Sequence, residues 1–121
     1  MKFTVEHIAE TAHEVNRAYC EALGDFSQAA WADAPEWQRA SCTNGVKHHM
    51  ANPGSTPRAS HEVWLEEKRA TGWKFGPVKN AETKEHPCFL PFDELKESDR
   101  AKDHLFRAVV RLLAPFVLAG Q

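Results

Sequence analysis

The sequence contains no apolar run that approaches the roughly 18 residues of a membrane-spanning helix. Its opening segment, MKFTVEHIAE, has no apolar stretch behind Lys2 of the kind that a secretory leader needs. Both absences argue against a membrane span and a leader, so we expect a cytoplasmic protein without a membrane partner.

Cysteine is scarce as well, with Cys20, Cys42 and Cys88 widely spaced and no CxxC pair. An odd number of isolated cysteines indicates neither a disulfide framework nor a zinc ribbon. His86 lies close to Cys88, but the two side chains supply only two metal ligands. We therefore expect reduced thiols, no structural metal and no cofactor.

Recognisable catalytic motifs are also missing. The chain has no GxSxG, no GxGxxG and no phosphate-binding GxxxxGK motif. Two His-Glu pairs begin at His13 and His61, but Arg17 and Leu65 stand where a zinc protease has its second histidine. The sequence therefore predicts a protein that is not an enzyme and has no catalytic residue.

What is present suits one folded domain of 121 residues, with 42% hydrophobic and 26% charged residues. A core of this size can stabilise a fold without a metal or disulfide. Apolar residues recur at helical spacing in four stretches. The predicted fold is mainly α, with about four helices and a long irregular loop that contains a short extended segment.

Two helices are predicted in the first half of the chain. Thr4 is a cap and Gly24 a stop signal for the first helix, and Pro35 suits the first turn of the second. The connection between these helices carries Phe26 and Trp31, which we expect to anchor it on the core.

Two more helices flank the irregular loop. Thr56 and Pro57 open the third helix, which Gly72 ends. Ser98 is predicted to cap the fourth helix, and Pro115 to limit it.

The loop over residues 73–92 is broken by Gly76-Pro77 and His86-Pro87, so at most one short extended piece is expected there. Ordered loops of this length often carry function. Trp73 and Phe75 flank Lys74, and in an extended backbone both rings would face one side.

Charge is distributed unevenly along the chain, whose formal net charge is -2. Acids outnumber bases seven to two over residues 1–36, and bases outnumber acids five to one over residues 68–84. The basic stretch favours an anionic partner, whereas the acidic remainder would repel duplex nucleic acid. A solvated surface that happens to be basic remains the alternative.

Trp64 is the best-placed aromatic residue of the third helix, because His61 and Lys68 lie one turn away on the same face. A planar base could stack on Trp64 or Trp73 while Lys68, Lys74 and Lys79 bind an attached phosphate. The alternative is that both tryptophans are core residues.

Residues 60–113 carry a series of landmarks at specific spacing. They are His61-Glu62-x-Trp64, Lys68, Gly72-Trp73, Phe75-Gly76-Pro77-Val78, Lys79, His86-Pro87-Cys88, Phe92, Leu95 and Arg100. In these landmarks the chain resembles the ryanodine receptor repeat (RyR) domain. The preceding residues, with AHEV, GDF, PEWQR and GV, resemble the leading region of small stand-alone bacterial and phage proteins of this type. We divide the single domain 1–121 into an N-terminal helical extension, 1–56, and a repeat-like region, 57–115.

The resemblance implies a compact, non-enzymatic helical module whose pocket binds adenine nucleotides through Trp64 and Asp103. The family more often has tyrosine in place of Phe75 and asparagine in place of Asp103. An ionised Asp103 would repel a phosphate group.

The sequence thus predicts a cytoplasmic binding module for a small anionic, adenine-nucleotide-derived ligand, which senses or sequesters a signalling nucleotide in a bacterial or phage setting. The predicted ligand-binding residues are His61, Trp64, Lys68, Trp73, Lys74, Phe75, Gly76, Pro77, Lys79, His86 and Asp103. The alternative is a protein-interaction or self-assembly module, such as a homo-oligomer, that uses the same aromatic and basic surface.

Overall fold

A computed structural model describes residues 2–119 of the chain, and their side chains as far as Val117. The elements are α1 (Val5–Ala22), α2 (Glu36–Ala51), α3 (Pro57–Ala70), β1 (Lys74–Phe75), β2 (Glu85–His86) and α4 (Glu97–Ala119). The predicted mainly α fold is confirmed. Within the described range, no helix is long and apolar enough to cross a membrane.

The caps predicted for α1 and α3 are present. The Thr4 hydroxyl accepts a hydrogen bond from the His7 backbone N–H at 3.3 Å, and the Thr56 hydroxyl accepts one from Ala59 at 3.1 Å. Gly24 follows α1 with a φ angle of 90°, which places it in the left-handed region that glycine tolerates. Local sequence chemistry therefore sets these helix ends.

The starts of α2 and α4 differ from the prediction. Pro35 lies just before α2 with an extended ψ angle of 150°, and its carbonyl accepts the first helical hydrogen bonds. Ser98 lies inside α4 and does not cap it, because the N–H groups of Asp99 and Arg100 donate to the Lys96 carbonyl at 3.0 Å. The Ser98 carbonyl instead accepts a hydrogen bond from the Tyr19 hydroxyl at 2.7 Å.

Two further expectations were wrong. Pro115 does not end α4, which continues to Ala119. Pro115 leaves the Arg111 carbonyl without its helical donor, but both residues are exposed, so water can solvate that group. Val117, which is 4% exposed, holds the following turn on the core. Phe26 is 74% exposed and does not anchor its connection.

The core joins the N-terminal helix to the rest of the fold. Ile8 and Ala9 of α1 pack with Val46 of α2 and with Val110 and Val117 of α4. These five side chains are between 0% and 4% exposed. Burying each of the valine and isoleucine side chains contributes about 1.5–3 kcal/mol. Helix α1 contacts both α2 and α4, and α3 packs on the same two helices.

The irregular loop contains two extended pieces, where only one was expected. Lys74 pairs with Glu85 and Phe75 with His86 in a short parallel ladder. The Gly76 N–H donates to the His86 carbonyl at 3.3 Å. A Cβ atom at Gly76 would lie 2.6 Å from Glu85, so the close approach of the two strands requires glycine.

Candidate functional site

A cavity of about 250 Å³ has walls that come from all four helices and from the loop. Three tryptophans, which we call the tryptophan cage, line it: Trp37 from α2, Trp64 from α3 and Trp73 from the loop. The rings of Trp37 and Trp73 lie 5.4 Å apart with an angle of 50° between their planes. The cage therefore offers aromatic faces in more than one orientation.

The Lys68 ammonium group lies inside the tryptophan cage. Its nitrogen is 4.6 Å from the Trp37 ring centre, 5.1 Å from that of Trp73 and 5.9 Å from that of Trp64. The chain reversal after α3 brings Trp73 back over the helix, since the Trp73 N–H donates to the Lys68 carbonyl at 2.9 Å. Gly72, with a φ angle of 86°, permits this reversal.

Lys68 is only 4% exposed, and no carboxylate of a described residue forms an ion pair with its ammonium group. Burial lowers the pKa of Lys68, although the negative charge of Glu67 acts in the opposite direction. Cation–π contacts attract the ammonium to the ring faces but leave its positive charge uncompensated. The cavity thus contains a buried cationic donor without an anionic partner among the described residues.

Two other lysines line the same cavity. Lys79 is exposed along its length, but its ammonium group reaches over the Trp37 ring at 6.0 Å, and burial there lowers the pKa of Lys79. Lys102 of α4 forms an ion pair with Asp99 at 3.3 Å. Three lysines, from α3, α4 and the loop, therefore border the cavity together with the acidic residues Glu67, Asp99 and Asp103.

His86 presents a hydrogen-bond donor to the cavity. Its Nδ1 accepts a hydrogen bond from the Cys88 backbone N–H at 3.0 Å, so the hydrogen of the neutral ring is on Nε2. Burial lowers the pKa of His86 to about 4, and the ring is neutral near pH 7. It stands edge-on to Trp64, with ring centres 4.9 Å apart. Burial raises the pKa of Cys88 to about 11, which keeps the thiol protonated.

Asp103 and His61 face each other across the boundary of α3 and α4. His61 Nδ1 lies 3.7 Å from Asp103 Oδ2, and the two side chains are 4% and 19% exposed. Burial raises the pKa of Asp103 to about 7 and lowers the pKa of His61. The arginines one turn away do not pair with Asp103: Arg100 donates to the Leu95 carbonyl at 2.5 Å, and Arg107 to that of Ser55 at 2.7 Å.

Uncharged polar side chains line the wall formed by α1, α2 and the connection between them. The Gln38 amide nitrogen lies 3.3 Å from the Gln28 amide oxygen, and the Ser41 hydroxyl donates to Glu67 at 3.2 Å. Asn16 of α1 lies on the same wall. Cationic and amide groups thus line one cavity together with aromatic rings.

A comparison with known families adds to this geometry, because a family model of the RyR domain matches residues 43–116. The chain belongs to the RyR domain family. The resemblance inferred from the sequence landmarks is therefore confirmed. The match begins inside α2, and it contains α3, the loop and most of α4. Trp37 and the amide wall lie before the matched residues of this RyR domain.

The cavity brings together most of the predicted ligand-binding residues, namely His61, Trp64, Lys68, Trp73, Lys79, His86 and Asp103. The others, Lys74, Phe75, Gly76 and Pro77, are not part of its lining. Phe75 is 52% exposed, whereas Trp73 is 8% exposed, so the two rings do not share one buried surface. A ligand contact by these four residues stays a prediction.

Sequence reasoning missed Trp37 and Lys102 as parts of the cavity. Trp37 lies far from the loop in sequence, and its first-turn position in α2 carries no signal of a shared site. Lys102 is one residue from Asp103, but only the packing of α4 turns both toward the cavity. Within the described part of the chain, no group of three or more His, Cys, Asp or Glu side chains could hold a metal ion.

Proposed function

We propose that this RyR domain is a non-enzymatic module that binds a small anionic ligand with a planar ring, of the adenine-nucleotide class. The observation that carries the proposal is the buried Lys68 ammonium inside the tryptophan cage, without an anionic partner among the described residues. A ligand that brings both an anion and a ring would complete this arrangement.

The requirement for an anion follows from electrostatics. Removing an ammonium group from water costs several kcal/mol, which only a nearby negative charge offsets well. Lys79, on the loop, adds a second cation close to Trp37. A phosphate group supplies oxygens that accept hydrogen bonds from both ammonium groups.

The requirement for a planar ring follows from the tryptophans. Stacking of a base on an aromatic side chain contributes roughly 1–3 kcal/mol per base. The cavity volume of about 250 Å³ lies just below the roughly 300–1,000 Å³ of typical ligand sites, which favours a ligand no larger than a mononucleotide. We propose that the module senses or sequesters a signalling nucleotide in the cytoplasm of a bacterial or phage-infected cell.

We propose no chemical conversion of the ligand. The raised pKa of the Cys88 thiol makes it a poor nucleophile near neutral pH, and the neutral His86 uses Nδ1 to hold its own loop. The cavity groups therefore serve recognition.

Calorimetric titration with AMP, ADP, ATP, ADP-ribose and cyclic dinucleotides tests the proposal. We expect Trp64→Ala to weaken binding by roughly 5- to 150-fold, the equivalent of losing one stacked base. Lys68→Met should abolish measurable binding. Lys47→Met is the matched control, because it removes an exposed lysine of α2 that lies outside the cavity and should leave affinity unchanged. Absence of heat with every nucleotide at millimolar concentration would refute the proposal.

Protein interaction or self-assembly is the second candidate, favoured by exposed apolar residues on the loop. Phe75 is 52% exposed and Val78 is 71% exposed. Light scattering of the wild type and of Phe75→Ser and Trp64→Ala variants separates the two functions. Loss of assembly in either variant, with unchanged nucleotide affinity, would favour the second candidate.

A further inference from the structure

We propose that Asp103 contacts the ligand as a neutral carboxylic acid, which donates its proton to an acceptor atom of the ligand and couples binding to proton uptake. This inference rests on the proposed function and specifies how the cavity recognises its ligand. It makes Asp103 a specificity-determining residue and not simply a negative charge beside a phosphate site.

The hydrogen bond of His61 fixes which ring nitrogen faces Asp103. His61 Nε2 lies 2.7 Å from the Leu90 carbonyl oxygen, which can only accept a hydrogen bond, so Nε2 carries a hydrogen. The neutral ring then turns the lone pair of Nδ1 toward Asp103 Oδ2, 3.7 Å away. A lone pair and a carboxylate would repel each other at this separation. Protonation of Asp103 removes the negative charge from this contact, and because 3.7 Å is too long for a hydrogen bond to Nδ1, the O–H remains available to the cavity.

Either His61 or Asp103 could carry a proton, and burial decides between the two groups. A protonated His61 would carry its charge in an apolar setting, because the side chain is 4% exposed. Its ring centre lies 5.6 Å from that of Trp64 and 6.0 Å from that of Phe92. The Asp103 side chain is 19% exposed and borders the cavity. Protonation of Asp103 leaves both groups neutral, which burial favours. The raised pKa of Asp103 and the lowered pKa of His61 agree with this assignment.

The charged groups around Asp103 do not reverse this assignment. On its own helix, Lys102 already pairs with Asp99, and Arg100 and Arg107 donate to backbone carbonyls. The nearby Asp99 carboxylate disfavours a second negative charge. The other elements contribute further titratable groups to the cavity, namely His13 of α1, Cys42 of α2, His61, Glu67 and Lys68 of α3, and Lys79, His86 and Cys88 of the loop.

A protonated carboxyl group on the cavity wall has a defined chemical preference. Its O–H donates to an unprotonated ring nitrogen or to a phosphoryl oxygen, whereas a carboxylate would repel both. Buried sites of this kind discriminate strongly, because a ligand without the complementary group leaves a polar atom unpaired. We therefore expect analogues without an acceptor at this position to bind more weakly, because they leave the Asp103 O–H unpaired.

The consequence for binding is a loss of affinity above about pH 7. Below that pH the acid is already protonated, and affinity should be constant. Above it, the free protein must first take up a proton, so affinity should fall by up to about tenfold per pH unit. Asp103→Asn keeps the shape and a donor but cannot ionise, and its affinity should not change with pH.

The experiment has one measurement without ligand and one with cyclic AMP. Carbon-13 NMR of the carboxyl groups in the free protein should show Asp103 titrating near pH 7. Cyclic AMP is a suitable probe because a phosphodiester lacks the second ionisation of a phosphate monoester near pH 6. Calorimetry between about pH 6 and pH 9, in buffers of different ionisation enthalpy, should reveal uptake of up to about one proton above pH 7.

The control variant is Asp93→Asn, which changes an exposed aspartate outside the cavity and should retain the pH dependence. An Asp103 midpoint in the ordinary aspartate range would overturn the inference alone. So would pH-independent affinity of the wild-type protein for cyclic AMP. Absence of heat with every nucleotide overturns the proposed function instead, and with it the ligand contact of Asp103.

Discussion

Replacing Asp103 with asparagine should make the protein more stable above neutral pH, although it alters a cavity residue. Burial raises the pKa of Asp103 from 3.8 to about 7, so the folded protein holds a proton that the unfolded chain releases. Between these two values the folded state binds more protons, and its stability falls as pH rises. Asparagine has no proton to lose, and the variant should escape this fall.

The magnitude follows from the size of the pKa change. Each unit corresponds to about 1.4 kcal/mol, so the variant should gain roughly that amount per pH unit between about pH 4 and pH 7. The advantage should level off above pH 7 at about 4 kcal/mol. With the side chain only 19% exposed, solvent screening reduces this value little. Since small domains have about 5–15 kcal/mol of stability in total, the effect is readily measurable.

Urea unfolding at about pH 5, 6.5 and 8 measures the effect. Asp93→Asn is the matched control: a hydrogen bond from Arg58 lowers the pKa of Asp93, so that variant should gain nothing as pH rises. A stability difference between Asp103→Asn and wild type that stays constant over this range would refute the reasoning. A variant less stable than wild type at pH 8 would do the same.

Three other predictions test the fold and its pH response. Burial lowers the pKa of His49 from 6.5 to about 4, so between these pH values the unfolded chain binds a proton that the folded protein does not. The free energy of unfolding should therefore fall by up to about 3 kcal/mol as pH drops through this window. In urea unfolding, His49→Phe should reduce that fall. Gly76→Ala would place a Cβ atom 2.6 Å from Glu85 and should lower the melting temperature in calorimetry. The control Gly54→Ala should not, because a Cβ atom at Gly54 would meet no neighbouring side chain within 4 Å. Ile8→Ala should cost about 2–5 kcal/mol in chemical denaturation, because Ile8 is 0% exposed.

Much of the fold could be predicted because the signals for helices are local. Thr4 and Thr56 cap helices through hydrogen bonds to N–H groups only three residues away. Gly24 and Gly72 follow the ends of α1 and α3 with positive φ angles, a conformation that glycine adopts without steric cost. Each of these choices depends on neighbours in sequence, and so the order and approximate extent of the helices followed from the residues alone.

Other features depend on which surfaces meet, and no local pattern contains that information. Pro115 remains inside α4 because its side of the helix faces solvent while Val117 packs on the core. The second strand exists only because the loop folds back beside the first. Phe26 is 74% exposed, although its hydrophobic character alone would favour burial.

The same distinction applies to the candidate site, where local sequence determined some features and tertiary packing the others. The helical spacing of His61, Trp64 and Lys68 by itself determined that an aromatic ring and a cation share one face of α3. The resemblance to the RyR domain predicted Asp103 as a ligand contact. Only tertiary structure decided that Trp37 completes the tryptophan cage. It also decided that the arginines beside Asp103 turn to backbone carbonyls, which leaves the carboxyl group to His61. The physical reason is that the pKa and partners of a buried group depend on residues distant in sequence, which the packing of α2, α3 and α4 brings together.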